Sequence, residues 1–455
     1  MRLAFVFLVA CHAAPGASGS GVDGGSLADG KAAIDAPPED TTGPIAIAAS
    51  TFLDSIGVCT HMAQGIDDPA MSGSALAYAG IREIRDDGNP NAVAGWITAH
   101  QKSGVRLSLL TDQDVTSTIS MAEQLNAAGA LLAVEGANEP NNFPVTYNSV
   151  TSSSSTTFAP VAHLQADLYA AVKADAALTG VPVFHSSEAG GSEPDNVGLQ
   201  YLTIPTNAGA TMPDGTNYAD YANVHNYIVG HSGMLVDNVA WQAEDPTLNA
   251  SWDGMYVEYG VTWGKGFAGY SNAQLPTVPR VTTETGWTTS GDPTSLTEEQ
   301  QARVFLDLYL TAFARGWSYT FIYMMRDDAS QGYWGLFNID YTPKTSGTYV
   351  HNLTTILADT AVTSSPGHLN YAINDEPATV HDLLLQKSDR TFELAVWDEH
   401  FSSATGDSVA VSLGRSYATV NVFDPTTGTA PVQTLTNVDT VALVLTDHPV
   451  IIEPK

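Results

Sequence analysis

The feature that most restricts the fold is a rhythm. Between residues 45 and 362, short apolar runs, each long enough for one strand, alternate with segments of helical periodicity. The runs fall at 55–59, 80–85, 104–110, 131–135, 181–185, 221–225, 281–283 and 317–323. Among the helical segments, 163–177 repeats apolar residues at helical spacing. The one beginning at 296 carries Thr297 three residues before Gln300, the pattern of a reciprocal N-terminal cap. Gly80, Gly104, Gly129 and Gly316 each precede a run, as expected where a helix ends and a strand begins. Pro182 argues against a central position for the fifth run, because it cannot donate to a ladder. Eight strands alternating with helices predict a parallel (β/α)8 TIM barrel over 45–362.

From residue 363 the texture changes to two-residue alternation. Runs at 378–386, 391–398, 408–413, 418–423 and 438–445, with Pro425-Thr426-Thr427-Gly428 as a turn, predict a small antiparallel β-sandwich over 363–455. Its expected role is to pack against the barrel. At the other end, residues 1–11 hold one positive charge and a short apolar segment, which reads as a secretory signal. Leu8-Val9-Ala10-Cys11 resembles a bacterial lipobox, in which Cys11 would be lipidated; the alternative is an ordinary signal cleaved near Ala14 or Ala17. Residues 12–44 are rich in Gly, Ser, Ala, Pro and Asp and read as a flexible tether. The expectation is a secreted or cell-envelope protein whose membrane contact is through a lipid anchor. The chain carries 49 acidic against 17 basic residues, a formal net charge of −32. Nucleic acid is not an expected partner, since phosphate binding needs clustered Lys and Arg.

Two stretches carry chemistry. The run at 131–134 leads into Asn138-Glu139-Pro140, and Val281 leads into Glu284-Thr285-Gly286-Trp287. Each is an apolar run that ends near a glutamate and breaks into turn residues. Active sites of such barrels lie at the C-terminal ends of the strands. Two carboxylates there can face each other across a sugar ring, the arrangement glycoside hydrolysis requires. The other candidates read more simply. Glu135, Glu188 and Glu258 are expected as solvated turn residues, with Glu135 alternatively a paired carboxylate inside the barrel. His61, His185 and His231 are expected to be hydrogen-bonded loop or core residues. Trp263, Phe267, Trp287, Tyr333 and Trp334 could offer one or two rings to a sugar, though each singly suits core packing. Cys59 reads as a small buried hydrophobe. No His or Cys cluster has metal spacing and no Gly-rich phosphate loop occurs, so neither a metal nor a cofactor is expected.

Taken in order, Asn-Glu-Pro, His225-Asn226-Tyr227, Glu-Thr-Gly-Trp, and Met325-Arg326-Asp327-Asp328 with Tyr333-Trp334-Gly335-Leu336-Phe337 resemble the clan A glycoside hydrolases. The last run is similar to the barrel end of glycoside hydrolase family 39 and its family 5-like relatives. The resemblance implies Glu139 as acid/base, Glu284 as nucleophile and Asn138 as the contact to a sugar 2-hydroxyl. It also implies Arg85 as the group that orients Glu284, with His225 and Tyr227 beside it. Trp287 and Trp334 are expected to support substrate binding. The chain departs from the pattern at Gly136-Ala137, where many members carry a tryptophan, and at Met324-Met325. The implied function is retaining hydrolysis of β-glycosidic bonds in an extracellular or cell-surface polysaccharide or oligosaccharide. Alternatives are a glucan-remodelling transglycosylase and a non-catalytic carbohydrate-binding lipoprotein.

Overall fold

The structure, a computed structural model, describes residues 42–455 apart from 154, 188–196, 226, 229–276, 293–294, 360, 362–363, 378 and 399–405. Eight parallel strands form the first sheet: β1 Ile56–Cys59, β2 Glu83–Asp86, β3 Arg106–Leu110, β4 Leu131–Glu135, β5 Val183–Phe184, β6 Ala222–His225, β7 Arg280–Thr285 and β8 Tyr319–Ile322. Their order is β5-β4-β3-β2-β1-β8-β7-β6, and a parallel bridge from Phe184 to Tyr221 joins the two ends. The expected (β/α)8 barrel is therefore present, with no open edge. The fifth strand is the shortest, consistent with Pro182 at its start.

Local chemistry sets the helices that wrap the barrel. In α1 (Pro69–Ala79), Asp68 accepts from the backbone N–H groups of Ala70 and Met71, and Pro69 opens the first turn. Asp114 caps α3 (Val115–Ala127), which follows α2 (Val93–Ser103). Beyond α4 (Ala159–Ala174), α5 (Glu298–Ala314) begins with the Thr297–Gln300 capping box that the sequence predicts. The last barrel helix is α6 (Thr345–Ile356). Inside the barrel, Cys59, Leu132, Ala133, Phe184, Val281, Phe321 and Met324 form an apolar plug. Gly57 leaves room for the Phe321 ring, since a Cβ there would come within 2.5 Å of it.

The second sheet holds β9 Ala372–Asn374, β10 Val380–Gln386, β11 Phe392–Asp398, β12 Asp407–Phe423, β13 Gln433–Leu445 and β14 Val450–Pro454. All its pairs are antiparallel except one, between β10 and a two-residue strand, Ile47–Ala48. Residues 45–48, assigned by rhythm to the barrel, thus edge the second sheet; a closed barrel has no free edge to offer them, whereas β10 does. Two-residue alternation divides the faces. Leu383, Leu385, Ala395, Trp397 and Ile451 join the core shared with the barrel helices. Their neighbours Leu384, Leu394, Val396 and Ile452 pack with Val409, Val411, Val420 and Val441 in a separate core. A register shift between Ser412 and Tyr417 interrupts the long β12–β13 ribbon. Arg303 on α5 reaches Asp447 at 2.6 Å, and Asn352 on α6 donates to the Pro425 carbonyl at 2.7 Å, so polar contacts also tie the sheet to the barrel.

Candidate active site

A buried polar layer lies above the apolar plug. Arg85, at the end of β2, commits its whole guanidinium. Nε donates to both oxygens of Glu135 at 3.1 Å, one Nη to Glu284 Oε1 at 2.6 Å, and the other to Asn138 Oδ1 at 2.7 Å. Glu135 is fully buried and is the paired interior carboxylate, not a solvated turn residue; Ser108, Asn223 and Thr283 also donate to it. Burial alone would depress the Arg85 pKa, but the charges of Glu135 and Glu284 outweigh it and hold the group above its usual range.

Two carboxylates emerge from this layer into one cleft of about 600 Å³. Glu284 Oε2 accepts from the Tyr227 hydroxyl at 2.7 Å. Burial first, then the Glu284 charge, pushes the Tyr227 phenol well above its ordinary range, so it remains a donor. Glu139 meets different partners. Its Oε1 lies 2.8 Å from His225 Nδ1, and its Oε2 accepts from Asn142 at 2.9 Å. Burial would raise the Glu139 carboxyl, but the hydrogen bond and charge of His225, together with Asn142, hold it below its ordinary value. His225 Nδ1 is also 3.5 Å from Glu284 Oε2. One ligand atom from each of Glu139, His225 and Glu284 can be chosen so that all lie within 4.8 Å of one another, the one trio among the described residues with spacing for a metal ion.

Backbone geometry places these groups. Alternation along β7 would send Thr283 and Glu284 to opposite sides of the sheet. β7 instead spends three residues against two on both neighbours: Val281 and Glu284 oppose Asn223 and His225 of β6, and Thr282 and Thr285 oppose Thr320 and Ile322 of β8. This bulge turns two consecutive side chains into the barrel. Glu139 has φ of +35°, a left-handed conformation that side chains with a Cβ rarely adopt. Gly136 shows why this chain departs from the tryptophan pattern: a Cβ there would meet Gln165 Oε1 at 1.9 Å and Ser186 N at 2.6 Å.

Of the residues singled out from sequence, Arg85, Asn138, Glu139, His225, Tyr227, Glu284 and Trp334 all line this cleft. Trp334 stands edge-on to Tyr227 and Tyr323, with ring centroids 5.5 and 6.3 Å away. The buried Lys344–Asp327 pair anchors it, because Asp327 also accepts from the Gly335 backbone at 2.7 Å. Trp287 is a correction: it is 1% exposed and packs in the barrel–helix core, where the turn after β7 carries it behind the strand instead of into the mouth. Cys11, Glu188, His231, Glu258, Trp263 and Phe267 lie outside the described residues. Sequence reading missed Asn223, Thr283, Asn142 and Tyr323. Asn223 had a signal, since it precedes His225 by two residues and so shares its face; Thr283 had none, because only the bulge turns it inward.

No protein-family model matches the chain, and no curated protein matches it. Solved structures do. A GH30 endoxylanase from Clostridium papyrosolvens C71 aligns at 12% identity and a TM-score of 0.47, covering 91% of this chain and 98% of that one. A GH51 arabinofuranosidase from Xanthomonas axonopodis pv. citri aligns at 13% identity and 0.47, covering 84% and 89%. An endo-β1,6-glucanase aligns at 11% and 0.48, covering 92% of each. These neighbours are glycoside hydrolases.

Proposed function

We propose that the chain is a retaining β-glycoside hydrolase acting on an extracellular or cell-surface polysaccharide or its fragments. One observation carries the reading: Glu139 and Glu284 present carboxylate oxygens within 4.8 Å of one another in one cleft, in opposite environments. Retaining enzymes hold their carboxyl groups about 5–5.5 Å apart, whereas inverting enzymes need about 6.5–9.5 Å to admit a water. Arg85 and Tyr227 both donate to Glu284 and suit a nucleophile that must stay ionised. Glu284 attacks the anomeric carbon as the glycosidic C–O bond breaks, and the Glu139 side supplies a proton to the departing oxygen. Water then attacks the same carbon, gives its proton back to that side, and releases Glu284. Trp334 and Tyr323 place aromatic rings in the cleft lining, where a sugar can pack against them. The resemblance to clan A supports the β linkage and a contact from Asn138 to the 2-hydroxyl.

Glu284→Ala should lower turnover on a glycan panel by roughly 10⁴-fold or more, and near-normal hydrolysis would sink the assignment. Glu139→Gln should fail on substrates with poor leaving groups and recover with azide as the glycosyl azide; no recovery would remove Glu139 from the acid/base role. Products longer than the substrate would redirect the reading to transglycosylation. An envelope location is proposed from sequence alone, and loss of labelling by a radioactive fatty acid in Cys11→Ser would support lipidation.

A further inference from the structure

Resting on the glycosidase reading, we propose that Thr283, held by Asn223 and Glu135, fixes the tautomer of His225 so that His225 and Glu139 together carry one proton, the one delivered to the leaving group.

Thr283, Glu135, Asn223 and His225 are all buried, so every hydrogen between them must have a partner within the set. Thr283 Oγ1 lies 2.9 Å from Glu135 Oε1, 2.9 Å from Asn223 Nδ2, 3.0 Å from Asn223 Oδ1 and 3.1 Å from His225 Nε2. The Asn223 amide orientation is settled, since its nitrogen faces Glu135 Oε1 at 3.2 Å and the His185 carbonyl at 3.1 Å, both of which only accept. The Thr283 hydroxyl has one hydrogen. It goes to Glu135 Oε1, because that oxygen pair at 2.9 Å would be repulsive without a hydrogen between, whereas the Asn223 amide itself brings an N–H to Oγ1 at 2.9 Å. Thr283 therefore turns a lone pair to His225, and Nε2 must carry a hydrogen. His225 Nδ1 then faces Glu139 Oε1 at 2.8 Å with its protonation open. That contact needs one hydrogen, on Nδ1 or on Oε1.

This resolves a conflict in the site. An acid must hold a proton, yet His225 holds the Glu139 carboxyl below its ordinary range. The proton belongs to the pair, so a low value for the carboxyl alone does not leave the acid unloaded. When the glycosidic C–O bond breaks, the pair's proton moves to the leaving oxygen. Glu139 is then a carboxylate facing a bare Nδ1. Two lone pairs at 2.8 Å repel, so the pair becomes a base. It takes a proton from the attacking water as the new C–O bond forms and the Glu284 ester opens, which restores the start.

The test uses the full chain labelled with nitrogen-15. Imidazole nitrogen–proton correlations are assigned to His225 by their loss in His225→Gln. The expected wild-type signal has a protonated Nε2, and Thr283→Val should raise the Nδ1–H population. A neutral wild-type His225 protonated on Nδ1 overturns the proposal, even if Thr283→Val fails to fold. In kinetics, Thr283→Val should cut kcat/KM on an alkyl glycoside by roughly tenfold or more. An aryl glycoside whose leaving group needs no proton should change little, and Thr283→Ser should restore the difference. Equal loss on both substrates, or no loss on either, overturns it. If the wild type hydrolyses no glycoside, the activity reading fails while the nuclear resonance result still decides the tautomer.

Discussion

Glu284 and Glu139 are the same residue type in different surroundings, and neighbouring atoms make the difference. Glu284 takes donors from Arg85 at 2.6 Å and Tyr227 at 2.7 Å, groups that stay protonated throughout the working range. Glu139 is tied to His225, a group that can hold or release a proton. Arg85 is itself sustainable in a buried layer only because Glu135 supplies a second negative partner; an unpaired charge there would be costly. At this scale Tyr227→Phe should lower kcat on an aryl glycoside by roughly 10- to 100-fold, through loss of one charge-assisted hydrogen bond to Glu284, the proposed nucleophile. Unchanged kcat would show that the hydroxyl does not act on the reaction.

At the scale of elements, two departures from regular strand geometry aim the two cleft carboxylates. The β7 bulge turns Thr283 and Glu284 inward together, and the left-handed turn at Glu139 brings the end of β4 over the barrel mouth. Such backbone costs on the order of 1–3 kcal/mol and persists where the surroundings hold it. Gly136 is part of that support, because the β4 end runs hard against Gln165 and Ser186. Gly136→Ala should destabilise the fold by about 1–3 kcal/mol. It should also lower activity, read as a drop in denaturant midpoint together with kcat; an unaltered midpoint would mean that the neighbours yield freely. Most of the strand runs were legible because burial on both faces favours apolar residues along them, although β2 reads Glu-Ile-Arg-Asp and is buried all the same. The bulge was not, since an extra residue in a strand leaves no mark in composition.

For the whole molecule, the pH dependence of stability follows from carboxyls kept out of water in a chain of net charge −32. Burial raises Glu83 to about 8, Asp86 to about 7 and Glu393 to about 8, from ordinary values of 4.5, 3.8 and 4.5. The folded chain keeps these protons where the unfolded chain has lost them, so stability falls as pH rises through that interval. His448 adds to the same trend. Burial lowers it, but Asp424 and Asp447 overcome this and raise it to about 9, so its contribution is complete below about 6.5 and lost as pH rises through 9. His185, lowered to about 4 by burial, opposes the trend only below about 6.5. The melting temperature should therefore fall on the order of 5 °C between pH 5.5 and 8.5, and a calorimetric series showing a rise would contradict it. What the sequence alone determined is whatever local chemistry and periodicity encode: the strand–helix alternation, the Thr297 cap, the two-residue texture of the second sheet, and a glutamate beyond the end of the fourth run and at that of the seventh. Tertiary structure decided the rest. Trp287 went to the core, Glu135 became the partner of Arg85, Ile47 and Ala48 joined the second sheet, and Thr283 entered the polar layer. Each of these depends on which residues, distant in the chain, meet in space, and that is settled by packing and register between strands.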